Sequence, residues 1–137
     1  MMKNTRLLMI LSATWFLLLA LVVSFAGVDL LLAMDVAVTP AATPLLKLLG
    51  AALLGFAIMN WMAKGTMIGG IYARPLSAGN FLYFTIAALS LLKPLFGGAL
   101  PVALIVAMTI HAAFAVAFGW LLFGQGAACV GSGDASN

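Results

Sequence analysis

Apolar residues in this chain fill four long runs rather than recurring on one side of an element. The runs fall at about 7–26, 45–63, 80–96 and 101–123. An α-helix rises about 1.5 Å per residue, so about 20 apolar residues cross a hydrocarbon layer of about 30 Å. The first, second and fourth runs meet that length. The third is short and would thin the bilayer locally. Between the first two runs, Asp29 and Asp35 flank Leu30-Leu31-Leu32-Ala33-Met34, a stretch too short to span. It is expected to form a short helix lying flat at the outer interface, with an ordinary outer loop as the alternative. Pro40 and Pro44 follow, with Pro44 suited to the first turn of the second helix.

The polar interruptions predict the connections. Gly65, Gly69, Gly70, Pro75 and Gly79 break the chain between the second and third runs. Gly65 is expected to close the second helix in the left-handed conformation. Arg74 should be extended because a proline follows it, and Asn80 is placed to cap the third helix. Gly97-Gly98, with Pro101 opening the fourth helix, makes a turn so tight that the third and fourth helices must form a hairpin. The pattern therefore predicts an all-α membrane protein. Its 1–123 region is an antiparallel bundle of four transmembrane helices, and 124–137 is a disordered small-residue tail.

Composition agrees with this. Of 137 residues, 66% are hydrophobic and 7% charged, where a soluble domain carries about 25% charged residues. The net charge of +3 is spread over helix ends and forms no patch for nucleic acid. Lys3, Arg6, Lys64 and Arg74 fall on one side of the predicted bundle, Lys47 and Lys93 on the other with Asp29 and Asp35. Because cytoplasmic loops are rich in Lys and Arg, both termini are placed in the cytoplasm. Trp61, Trp120 and Tyr83 suit an interfacial belt at that side, whereas Trp15 lies too deep. Lys3 and Arg6 followed by apolar residues and Ser24-Phe25-Ala26 also resemble a cleavable leader, but the apolar run exceeds the roughly 7–15 residues usual there. The single cysteine, Cys129, excludes an intrachain disulfide and a CxxC pair.

Two small-residue stripes are visible. Lys47, Ala51 and Gly55 recur every four residues in the second helix. Ala99, Ala103, Ala107, His111, Ala115 and Gly119 do so in the fourth. Such spacing lets another helix approach closely and suits a right-handed crossing. Lys47, one turn inside the outer boundary, is expected to snorkel to the interface, with an ion pair to Asp29 or Asp35 as the alternative.

Candidate chemistry is sparse. His111, the only histidine, lies mid-helix, where polar residues face the bundle interior and often carry function. Ser90 and Thr14 are its candidate partners. No Asp or Glu lies in any of the four runs, so a carboxylate relay has no acid. One histidine supplies one of the three or four ligands a zinc ion needs. No GxSxG, HExxH or GxxxxGK[ST] pattern occurs. No catalytic residue, metal or cofactor is therefore expected, and His111, Ser90 and Lys47 form at most an intramembrane polar site. The other candidate is the cytoplasmic cap of Asn60, Lys64, Tyr72, Arg74 and Asn80, whose cations could hold a lipid headgroup or a small anion. Orientation alone accounts for its charges equally well.

The segments Lys47-Leu48-Leu49-Gly50-Ala51-Ala52-Leu53-Leu54-Gly55-Phe56, Asn60-Trp61-Met62-Ala63-Lys64-Gly65, Ile68-Gly69-Gly70-Ile71-Tyr72-Ala73-Arg74-Pro75 and Gly79-Asn80 resemble a group of small uncharacterised bacterial membrane proteins with four predicted helices. The resemblance implies the bundle and a bacterial inner-membrane home, and no activity. The expected function is that of a non-enzymatic packing or accessory component, acting as a homo-oligomer or with a membrane-protein partner among membrane lipids. The alternative is a small transporter or a lipid- or anion-binding bundle using the 60–80 cap or His111.

Overall fold

The computed structural model describes residues 2–65, 73–95 and 101–124. It contains four α-helices: α1 (Met2–Ala33), α2 (Ala42–Ala63), α3 (Ala73–Leu95) and α4 (Val102–Gly124). All four are long and apolar enough to cross a membrane. Large apolar side chains are exposed along each of them, as expected of helices whose outer surface meets lipid rather than water. The chain divides into two compact units, Met1–Thr66 and Met67–Asn137. The first pairs α1 with α2 and the second α3 with α4.

In the first unit the helices run antiparallel. Gly27 meets Leu46, Gly50 meets Ser24, Phe16 stacks on Phe56 at 5.3 Å, and Ser12 pairs with Asn60. Partner numbers fall on α2 as they rise on α1. The buried positions are Met9, Ser12, Ala13, Phe16, Ala20 and Gly27 on α1, and Gly50, Leu53, Ala57 and Asn60 on α2. Steps of three and four alternate, the spacing that keeps a seam facing its neighbour in left-handed pairing. The stripe Lys47–Ala51–Gly55 is not this seam. Lys47 and Ala51 are exposed, and a Cβ added at Gly55 would touch nothing within 4 Å. The glycine that admits the neighbouring helix is Gly50. A Cβ there would collide with the Ser24 hydroxyl and come within 3.2 Å of the Ala20 carbonyl.

Several helix ends differ from expectation. No separate interfacial helix forms between the first two helices, because residues up to Ala33 continue α1. Gly27 does not break it: its bare Cα accommodates Leu46, whose Cδ1 would lie 3.1 Å from an added Cβ. At about 1.5 Å per residue α1 is about 48 Å long, so it must tilt or project beyond a typical hydrocarbon layer. The left-handed residue is Asp35, at φ 56, and not Gly65. Asp35 N–H donates to the Leu32 carbonyl at 3.1 Å and Val36 N–H to that of Leu31 at 3.0 Å. This pair of bonds satisfies the last carbonyls of α1. Lys64, the C-cap of α2, remains right-handed.

The third helix begins at Ala73, seven residues before the expected 80. Arg74 and Pro75 are therefore helical, because a proline in a first turn removes no intrahelical hydrogen bond. Asn80 is an interior residue and not a cap; its Nδ2 donates to the Leu76 carbonyl at 2.8 Å. Tyr83 is thereby carried about 15 Å along the helix from its start, away from the belt position expected of it. Pro101 opens α4 as expected, its carbonyl accepting from Leu104 N–H at 2.9 Å. The Gly97-Gly98 turn, residues 66–72 of the 64–79 connection, Cys129 and the 125–137 tail lie outside the described residues.

In the second unit Phe84, fully buried, is the hub. It stacks on Phe114 at 4.7 Å and on Phe118 at 5.8 Å, while Phe81 meets Phe123 edge-on at 5.7 Å. Those contacts make α3 and α4 the expected antiparallel hairpin. The α4 face used is again spaced by three and four, through His111, Phe114 and Phe118. Of the four-residue stripe, Ala103 is exposed, and Gly119 meets Phe81, whose Cε2 would lie 3.0 Å from an added Cβ.

Two outcomes follow. Gly50→Leu should destabilise the protein by about 1–3 kcal/mol through overpacking, whereas Gly55→Leu leaves the hairpin intact; thermal unfolding in detergent distinguishes them. Asp35→Gly should raise stability by about 1 kcal/mol by removing left-handed strain, and Asp35→Val should lower it in the same assay.

Candidate functional site

Each hairpin buries polar side chains. In the first, Ser12 and Asn60 have no solvent exposure. Asn60 Nδ2 donates to Ser12 Oγ at 3.0 Å, and Ser12 Oγ donates to the Met9 carbonyl at 3.1 Å. Ser12 thus acts as acceptor across the pair and as donor to its own helix, using both capacities of a hydroxyl. The α1 seam puts Ser12 on the face that looks toward Asn60. Asn60 is turned into the hairpin, and does not present its amide nitrogen to a headgroup.

In the second hairpin His111, 4% exposed, is seated among aromatics. Its Nδ1–H donates to the Ala107 carbonyl one turn back, at 2.6 Å. The ring centroid lies 5.6 Å from Phe84 and 5.9 Å from Tyr83. This bond fixes the ring to its own helix, and the aromatic contacts give it the role of a packed, hydrogen-bonded planar group. Ser90, its expected partner, is exposed and lies six residues beyond Phe84, about 9 Å along the helix. Thr14, the other candidate, donates to the Ile10 carbonyl at 2.9 Å on its own helix.

The remaining cap residues are distributed as follows. Lys64 Nζ sits 3.1 Å from the centroid of the Trp61 ring, a cation–π contact within the first hairpin. Arg74 is exposed in the first turn of α3, and Asn80 is buried. Tyr72 lies outside the described residues. Asn60 and Lys64 belong to one unit, Arg74 and Asn80 to the other. Lys47 is exposed near the start of α2, as snorkelling requires.

Ser12 and Ser77, serines with no base or orienting acid to make them nucleophiles, were not expected at a polar site. Ser77 is 2% exposed and its Oγ has no hydrogen-bond partner among the described residues. Ser12 lies 28 residues before Pro40 and Asn60 20 residues after it, so a hairpin folded at that proline would not bring them level. They meet because the turn falls earlier, between Ala33 and Ala42. Ser77 was assigned to a loop because the start of the third helix was placed too late.

Among the described residues no group of three or more His, Cys, Asp or Glu is positioned to hold a metal ion. No protein-family model, curated protein or solved structure matches this chain.

A double-mutant cycle on Ser12→Ala and Asn60→Leu should show a coupling of about 0.6 kcal/mol, and no more than about 1.7, the range found for interhelical hydrogen bonds in membranes. Additive losses in reversible unfolding in detergent would show that the bond does not hold the hairpin.

Proposed function

We propose that this chain is a non-enzymatic component of a bacterial inner membrane that works by packing against a second copy or another membrane protein. One observation carries the reading. The outer face of α2 presents Ala51 and Gly55 one turn apart, Ala51 exposed and the space over Gly55 open. Small residues at that spacing let two backbones approach closely, which is the main source of helix association in lipid. Gly50, the glycine consumed by the hairpin itself, lies on a different face, so Ala51 and Gly55 are not needed to pack α1 against α2. The buried polar groups support the same reading, because Ser12, Asn60 and His111 have hydrogen bonds that tie helices or their own backbone.

The orientation with both termini cytoplasmic draws support from the first hairpin. Arg6 and Lys64 come to the end of α1–α2 opposite the turn, and Asp29 and Asp35 lie at the turn end. Cations favour the cytoplasmic side. The likeness of the 47–80 segment to small four-helix bacterial membrane proteins agrees with this home.

Cysteine-scanning crosslinking in native membranes tests the association. In a Cys129→Ser background, Ala51→Cys and Gly55→Cys should give crosslinked species, a dimer or an adduct with a partner. Leu53→Cys, inside the hairpin, should give none. Monomer at every position, with no partner recovered, would sink the proposal.

A further inference from the structure

A groove of about 190 Å³ runs between α1 and α2, lined by Ala13, Thr14, Leu17, Leu54, Ile58 and Trp61, with Ala57 at its floor. Its surface is almost wholly apolar, since Thr14, the one polar lining residue besides the indole, donates its hydroxyl hydrogen to Ile10. The residues lie within spans long and apolar enough to cross a membrane, so whatever fills the groove there is apolar. Each wall continues along its helix to a cation. On α1, Arg6 lies seven residues before Ala13, two turns away on the same face, and is exposed. On α2, Lys64 lies three residues after Trp61 and its ammonium is held over the Trp61 ring. Because the helices are antiparallel, the two cations arrive at the same end of the groove, Arg6 about 10 Å beyond Ala13 and Lys64 about 5 Å beyond Trp61 at the rise of a helix. Among the described residues no carboxylate shares that end, since Asp29 and Asp35 lie at the turn.

We propose that this groove is a binding site for one anionic phospholipid: an acyl chain lies against Leu17, Leu54 and Ile58, the glycerol region passes Trp61, and the phosphate is bound by Arg6 and Lys64. Charge complementarity selects this occupant over a neutral lipid, and the apolar lining selects a chain over a free anion. Arginine forks onto phosphate oxygens while lysine supplies a point charge. Trp61, 52% exposed, occupies the level at which an amphipathic ring sits between chain and headgroup. The inference rests on the chain spanning a membrane, and it is independent of whether Ala51 and Gly55 meet a partner.

Trp61 is the reporter. Full-length protein carrying Trp15→Phe and Trp120→Phe is reconstituted in phosphatidylcholine vesicles containing a minor fraction of brominated phosphatidylglycerol or of brominated phosphatidylcholine. Quenching by a fully brominated phosphatidylcholine bilayer first shows that Trp61 is in lipid, so failure of membrane insertion is separated from failure of the site. The site predicts at least about five-fold preference for the anionic lipid, the factor that one cation near a charged surface contributes. Arg6→Gln with Lys64→Gln should abolish the preference, and Lys64→Arg should keep it. Leu17→Phe with Ile58→Phe, which fills the groove and leaves both cations, should also abolish it. Equal quenching by the two lipids overturns the proposal. So does a preference that survives groove filling, which would mean surface charge alone. A Trp61 shielded from all lipid, with crosslinks from position 58 to protein, would assign the groove to a helix of this chain or of a second copy.

Discussion

Two helices inside a bilayer gain little by hiding leucine from one another, because the lipid they displace is equally apolar. What can hold them is close backbone approach, dispersion at dense contacts and the few hydrogen bonds available to polar side chains. The α1–α2 hairpin meets that constraint along its whole length. Near the turn the contacts are made by residues without bulk: Gly27 under Leu46, and Gly50 against Ser24 and the Ala20 carbonyl. At the far end, where no turn ties the helices, the contact changes character. Phe16 stacks on Phe56, and one helical turn further the Ser12–Asn60 hydrogen bond closes the pair. The directional interaction is found where the chain offers no covalent restraint.

The second hairpin meets the same constraint with aromatic area. Phe84 gathers Phe114, Phe118, Tyr83 and His111 around one buried ring. Aromatic pairs add roughly 0.5–1.5 kcal/mol beyond the area they bury, so they provide specificity that leucines in lipid cannot. His111 fits this cluster because its bond to Ala107 removes the cost of one polar nitrogen, leaving a flat ring for packing. Its depth in the helix, which makes it look like a reactive group in the sequence, is also what makes a planar, internally bonded residue useful there.

The number and rough placement of the spans were legible because they depend on length and hydropathy, both one-dimensional. Pro44 and Pro101 gave helix starts for the same local reason. The inward faces were not legible. When a helix is apolar all round, leucine stands on both faces, and the seam is marked only by small residues. Gly50 and Gly55 both satisfy that mark, and only the packed structure shows that Ser24 and Ala20 approach the first and nothing approaches the second. The α3 start was missed because Arg74-Pro75 was read as a break, although a first turn accepts proline without loss. Asn80 and Tyr83 were then each placed about two turns too near the helix end. Asp35 was read as a charge flanking an interfacial segment, and its left-handed backbone role is set by the bonds of Asp35 and Val36 to the preceding carbonyls, which no composition reveals.

The polar groups of the chain fall into two populations with different capacities. Most of those deep in the helices are committed: Ser12 and Asn60 to each other, Thr14, Asn80, Thr109 and His111 to carbonyls one turn back, while Ser77 and Thr85 have no hydrogen-bond partner among the described residues. Breaking such a bond in hydrocarbon to engage a ligand would leave a carbonyl or an amide with no water to replace it. The charged groups Arg6, Lys47 and Arg74 are exposed near helix ends, and Lys64 rests on an exposed indole. They can exchange partners at little cost because water and headgroups reach them. Recognition by this chain is therefore cheapest at its ends and along its outer faces, and costly within its hairpins. The proposed surface-acting role, with lipid or a neighbouring helix as the counterpart, accords with the exposed charged groups at the helix ends.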